Sequence, residues 1–211
     1  METGNNNSNS AISTFDTLLT KNVPHILEKI FLSLDYNNLV TCLKVSKCWR
    51  KLLSTPKYRK ELLAKKNMVM KFYRASYEGD AEEVRKLIYD RMVDVNLNIG
   101  PGLSTPLILA AKSGSDHVVE VLLQAGADIE RGDYWGHTPL YWAVYYDSFR
   151  SVKLLLDAGA AVDNKDSKGR TPLWYAKSRY VINMLIKHGA DPNGSPEGRG
   201  YNTLSYIALS R

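Results

Sequence analysis

Cysteine is scarce in this 211-residue chain: there are two, Cys42 and Cys48. They lie six apart in one apolar helical stretch, a spacing that fits neither a zinc knuckle nor a redox Cys-x-x-Cys pair. Two reduced, half-buried thiols are therefore expected, with no disulfide framework. Long apolar runs are also missing. No stretch approaches the about eighteen consecutive apolar residues of a membrane-crossing helix. The start, Met1-Glu2-Thr3-Gly4, has no basic and apolar leader pattern, and Glu2 rather than Gly follows Met1, so neither secretion nor myristoylation is expected. Ala208-Leu209-Ser210-Arg211 is not a prenylation box. The sequons at Asn6 and Asn193 are accordingly read as chance matches.

Catalytic and metal signatures are absent as well. His25, His117, His137 and His188 are scattered, with no pair at ligand spacing, so no metal site is expected. Gly100-Pro101-Gly102 is read as a turn, because no Gly-Lys-Ser/Thr follows to make a phosphate loop. No Gly-x-Ser-x-Gly elbow exists, and neither cysteine has a histidine nearby in sequence. The chain is expected to be no enzyme and to need no cofactor.

What is present is an ordinary globular composition, 44% apolar and 24% charged, with a net charge of +6. All of that excess lies in residues 1–66, with 11 basic against 5 acidic residues; residues 67–211 balance at 17 and 17. Such asymmetry points to two modules.

The second module is periodic. Thr105-Pro106-Leu107, Thr138-Pro139-Leu140 and Thr171-Pro172-Leu173 recur every 33 residues, each with an alanine at the same offset: Ala110, Ala143 and Ala176. Thr is an N-cap and Pro suits the first helical position, so each triplet opens a helix. Gly114 or Asp147 then turns the chain, and Val118–Leu123 or Val152–Leu156 forms a second helix with an apolar face. Gly126, Gly159 and Gly189 stand where such a helix ends in a residue of positive φ. Gly136 and Gly169 are turn residues of the following hairpins. This period, motif and helix–turn–helix–hairpin grammar resembles the ankyrin repeat. Weaker copies flank it, with Phe72-Tyr73-Arg74-Ala75 before and Gly200-Tyr201-Asn202-Thr203-Leu204 after. Degenerate end units are expected where an outer face meets water. The fourth unit is short, with 13 residues from Ala176 to Gly189 against 16 in its two predecessors, and its inter-helix turn is expected to be trimmed.

The first module reads as helices. Ile26, Leu27, Ile30, Phe31 and Leu34 repeat at helical spacing; Asp35 caps a helix with Leu39, Cys42 and Leu43; Val45, Trp49, Leu52 and Leu53 continue into a third. Pro56 opens a last basic helix, roughly Lys57 to Lys66. Its Lys57, Arg59, Lys60, Lys65 and Lys66 alternate with Leu62-Leu63, so a solvated amphipathic helix is favoured over a nucleic-acid surface or nuclear signal. Val23-Pro24, the apolar helix, the polar turn and Val45-x-x-x-Trp49 together resemble the F-box motif over about residues 20–62. Val23 stands where that family begins with leucine.

The two resemblances imply an all-α protein: a three-helix F-box module (19–66), after a disordered tail (1–18), then an ankyrin solenoid of about four repeats with short hairpin loops. The repeats are expected at about 67–99, 100–132, 133–165 and 166–196, with a partial one at 197–211. The F-box resemblance implies docking on the Skp-type adaptor of a Skp–cullin–F-box ubiquitin ligase. It places the adaptor contacts on Val23, Pro24, Leu27, Ile30, Phe31, Leu34, Leu39, Val45 and Trp49. The ankyrin resemblance implies an outward, target-binding set at Tyr77, Lys112, Tyr134, Trp135, His137, Tyr145, Tyr146, Lys168 and Arg170, with Glu78, Ser113 and Ser167 beside them. Trp142, Trp174 and Tyr175 are expected in the framework. The implied function is target recognition for the ligase, in the cytoplasm and/or nucleus, with an unidentified protein target and no membrane. The alternative is a plain ankyrin scaffold or inhibitor whose N-terminal helices only cap the solenoid.

Overall fold

The computed structural model describes residues 56–90, 93–98 and 102–194. The adaptor set from Val23 to Trp49, the expected tail and the partial fifth unit lie outside the described residues. The chain divides into two compact units, Met1–Val69 and Met70–Arg211.

Among the described residues there are eight helices and no β-strand: α1 (Pro56–Glu78), α2 (Ala81–Tyr89), α3 (Pro106–Ser113), α4 (Asp116–Gln124), α5 (Pro139–Tyr145), α6 (Phe149–Asp157), α7 (Pro172–Tyr175) and α8 (Arg179–Lys187). The basic helix expected to stop near Lys66 does not stop there. It runs 23 residues as α1, because no Gly or Pro follows Pro56 until Gly79. Gly79, at φ 87°, ends it, and the amides of Gly79 and Asp80 both donate to the Ala75 carbonyl at 3.0 Å.

Two of the three Thr-Pro openings cap their helices through the threonine side chain; Thr171 opens the third without such a bond. Thr105 Oγ1 accepts from the Ile108 amide at 3.2 Å, and Thr138 Oγ1 from the Tyr141 amide at 3.3 Å. Each such cap stabilises its helix by about 1 kcal/mol. Leu107, Leu140 and Leu173 then point inward, and Ala110, Ala143 and Ala176 are fully buried. Alanine there lets neighbouring first helices approach, so α3, α5 and α7 pack in one layer. Helices α2, α4, α6 and α8 make the second layer through Val84, Leu87, Val118, Leu122, Val152, Leu155, Val181 and Leu185. Burying each of these aliphatic side chains contributes roughly 1.5–3 kcal/mol.

The turn between the paired helices shows why one glycine is replaceable. Gly114 sits at φ 69°, and a Cβ there would come within 3.0 Å of Ser148 Oγ in the next repeat. Asp147 occupies the same place one repeat on, at φ 57°. Its carboxylate accepts from Ser178 Oγ at 2.5 Å, so contact with the following serine becomes a hydrogen bond.

The fourth repeat loses more than a turn. Its first helix has 4 residues, against 8 and 7 in the two repeats before it. Ala176 already turns extended (φ −64°, ψ 128°), and Ser178 opens α8 by accepting from the Val181 amide at 3.3 Å. The shortening therefore falls on the helix itself.

Candidate functional site

The hairpins carry the first part of the site. Asp133 and Asp166 stand one period apart, at the head of Asp133-x-x-Gly136 and Asp166-x-x-Gly169. Their side chains are buried and saturated. Asp133 Oδ1 accepts from the amides of Trp135 (2.9 Å) and His137 (3.0 Å), and Oδ2 accepts from Trp142 Nε1 (3.1 Å). Asp166 Oδ1 accepts from the amides of Lys168 (2.8 Å) and Arg170 (3.0 Å). Its Oδ2 takes Arg170 Nε (2.9 Å) and the Tyr175 hydroxyl (2.9 Å). Burial alone would raise the Asp166 carboxyl, but the hydrogen bonds from Arg170, the Lys168 amide and Tyr175 win and hold it below the ordinary carboxylate value. Tyr175 responds in the opposite sense: burial first, then its bond to Asp166, push its phenol far up.

Successive hairpins are stitched by backbone bonds, from the Tyr134 amide to the Gly102 carbonyl and from the Ser167 amide to the Trp135 carbonyl, both 2.9 Å. His137 bridges two of them. Its Nδ1 lies 3.4 Å from Asp133 Oδ2 and its Nε2 3.6 Å from Asp166 Oδ2, with only 13% of the side chain exposed.

On this frame the third repeat gathers aromatic rings. The His137 ring stacks on Tyr141 at 3.9 Å between centroids, and Tyr141 meets Tyr175 edge-on at 4.5 Å. Trp142 contacts Tyr141, Tyr145 and Tyr146 at 5.1, 5.7 and 6.0 Å. Tyr134 and Trp135 close the row at 5.8 Å. Three cations cap ring faces: Lys112 Nζ lies 3.7 Å from the Trp142 ring, Lys177 Nζ 4.5 Å from Tyr145, and the Arg170 guanidinium 4.8 Å from Tyr175. Lys177 also donates to the Tyr145 carbonyl at 2.9 Å. Partial burial lowers the Lys112 ammonium from its ordinary value, and the nearby Asp133 charge opposes that shift.

Of the residues expected to face outward, Tyr77, Tyr134, Trp135, Tyr146 and Lys168 are exposed, Trp135 by half and Tyr134 by 70%. Lys112, His137, Tyr145 and Arg170 are largely covered, since each is drawn into a ring stack or a carboxylate pair. Trp142, Trp174 and Tyr175, expected in the framework, are half-buried rather than sealed. Tyr77 lies on α1, outside the third-repeat ring group. The sequence reading passed over Asp133, Asp166, Tyr141 and Lys177. The two aspartates had a signal, because they keep the same 33-residue interval as the Thr-Pro-Leu triplets. Tyr141 and Lys177 had none, since their value depends on which rings the fold brings beside them.

A two-layered helical-hairpin scaffold with a ring-rich hairpin face is the architecture of a binding protein. Models of known families agree with it. The model for ankyrin repeats (three copies) matches residues 72–166 and 136–195, and that for the F-box domain matches residues 22–61. The chain belongs to the ankyrin-repeat family and carries an F-box domain ahead of its repeats. Both are modules that typically bind rather than catalyse, and their pairing points to a substrate-recognition adaptor. The chain is similar to ankyrin repeat and SOCS box protein 5 from Bos taurus, with 51% identity over 49 residues, which is 23% of this chain and 14% of the bovine protein. It is also similar to the protein of that name from Oryctolagus cuniculus, with 38% identity over 101 residues, 48% of this chain and 21% of the rabbit protein. The matched stretches thus span about a fifth or less of those relatives.

Proposed function

We propose that this chain is the substrate-recognition subunit of a Skp–cullin–F-box ubiquitin ligase. The carrying observation is the order of modules, with an F-box at residues 22–61 and ankyrin repeats from residue 72 onward. In this reading Leu27, Ile30, Phe31 and their neighbours lay an apolar helical stripe into a groove of the Skp-type adaptor. The ankyrin half holds the target protein. The chain contributes proximity: a target tethered beside a bound ubiquitin-conjugating enzyme meets it at an effective concentration of order mM. The relatives' name joins ankyrin repeats to a SOCS box in one chain, which supports the same division of labour.

Co-purification of the full chain with a Skp-type adaptor tests the reading. A stable complex is expected, and failure of monomeric, folded protein to bind would overturn it. Replacing Leu27 and Ile30 with aspartate is expected to abolish adaptor binding while target capture persists. Loss of both activities together would refute the modular account.

A further inference from the structure

The third repeat holds more aromatic surface than stacking the repeats requires, and its charges are sorted. The buried acids, Asp133 and Asp166, spend their oxygens on amides, Trp142, Tyr175 and Arg170. Asp147, on the rim, is held by Ser178. The cations on the same face are placed differently. Lys112 and Lys177 stand on ring faces, Lys177 and Lys168 are exposed, and Lys112 is half-buried. Among the described residues no salt bridge pairs Lys112, Lys168 or Lys177 with a carboxylate. These three lysines therefore present positive charge that no carboxylate pairs with, although the repeat half as a whole is neutral.

The ring geometry decides against a cationic ligand. An aromatic cage takes an ammonium or methylated lysine through open ring faces. Here Trp142, Tyr145 and Tyr175 already carry the protein's own cations at 3.7, 4.5 and 4.8 Å. A further cation would meet both occupied rings and like charge. An anion would meet the half-buried Lys112 ammonium, where electrostatic attraction is stronger than in bulk water, and the exposed Lys177. Beside them stand Trp135, leaning on the preceding hairpin near Gly102, and Tyr146, 53% exposed. These are rigid apolar platforms of the type that anchors interfaces.

We infer that this face binds an acidic peptide segment of the target. Its Asp or Glu carboxylates pair with Lys112, Lys177 and Lys168, and a large apolar side chain packs on Trp135 and Tyr146. The inference rests on the proposal that the ankyrin half captures a protein target and adds the chemistry by which it does so.

The test is a displayed library of random 12-residue peptides, selected on the immobilised full chain with a Skp-type adaptor present in solution. Selected sequences are then synthesised with fluorescein and measured by anisotropy. Enrichment of peptides with several Asp or Glu residues around an aromatic or leucine is expected. Trp135→Ala should weaken the selected peptide by ~10-fold or more, and the Lys112→Glu/Lys177→Glu pair by a similar factor, with marked loss at 0.5 M salt. The Phe149→Ala/Tyr180→Ala pair, exposed aromatics on α6 and α8, should leave binding unchanged and controls for folding. Basic or charge-neutral consensus peptides, no enrichment, or affinity indifferent to Trp135 and the lysines would overturn the inference. Adaptor binding is read in the same samples. If it persists while the peptide chemistry fails, the ligase reading survives and this inference does not; if the adaptor is lost and acidic peptides still bind, the reverse holds.

Discussion

The first helices of the second and third repeats, α3 and α5, share a framework and differ in what they display. Pro106 and Pro139, Leu107 and Leu140, and Ala110 and Ala143 match position for position and are buried alike. Leu109, Lys112 and Ser113 of the second repeat become Trp142, Tyr145 and Tyr146 of the third, while the buried Ile108 becomes the buried Tyr141. The positions that stack repeats are fixed by volume, since a larger side chain at Ala110 or Ala143 would push neighbouring helices apart. The positions on the hairpin side are free to change, and the third repeat uses that freedom for rings.

The largest effect should come from breaking what the two helices share. Leu107→Ala and Leu140→Ala each remove a fully buried side chain, and each should cost about 2–5 kcal/mol in denaturant unfolding. A much smaller cost at one site would mean that the two repeats do not share one core.

Next comes the carboxylate that braces the hairpin after the ring-rich repeat. Asp166→Ala orphans two amides, Arg170 and the Tyr175 hydroxyl, and should cost about 2–4 kcal/mol by the same measurement. Its pH dependence follows from the lowered carboxyl. The unfolded chain takes up this proton first, at the ordinary value of 3.8, so the contribution is complete above that pH and is lost as pH falls through the folded value. Asp166→Asn should flatten the acid limb of a melting-temperature profile, and an unchanged limb would assign acid sensitivity to other groups.

A transplant sharpens the contrast directly. Trp142→Leu, Tyr145→Lys and Tyr146→Ser together give α5 the display side of α3. Loss of ring contacts should cost about 1–3 kcal/mol, leaving a folded chain by circular dichroism. Acidic-peptide capture should fall below detection, and retained capture would locate binding elsewhere.

The smallest effect is expected at the turn. Asp147→Gly relieves a non-glycine residue at φ 57° but gives up the bond to Ser178, so the two terms should nearly cancel, within about 0.5 kcal/mol in thermal unfolding. Gly114→Asp, the reverse exchange in the second repeat, tests whether Ser148 can accommodate the new side chain as Ser178 does.

Much of this architecture was legible because it is local or periodic. Thr-Pro caps act within one helical turn, and the glycines after α4, α6 and α8 mark positive φ without knowledge of neighbours. The exposure of Trp135 and Tyr146 follows from their place in the repeat. The uninterrupted α1 was missed because no residue marks where one module's helix should yield to the next. The short α7 departs from the trimmed turn that the sequence predicts, because a deficit of residues does not say which element gives them up. The burial of His137 and Arg170 was missed because each answers to an aspartate whose side chain the fold turns inward.

The sequence by itself determined the repeat, its helix openings and the two kinds of module, because caps, turns and periodic burial are properties of short segments. Only the tertiary structure decided that Lys112 of one repeat, Trp142 of the next and Lys177 of the one after share a surface. Their adjacency arises from stacking residues 30 or more apart in the chain, where ring–cation contacts depend on a few ångströms of approach that no local pattern encodes.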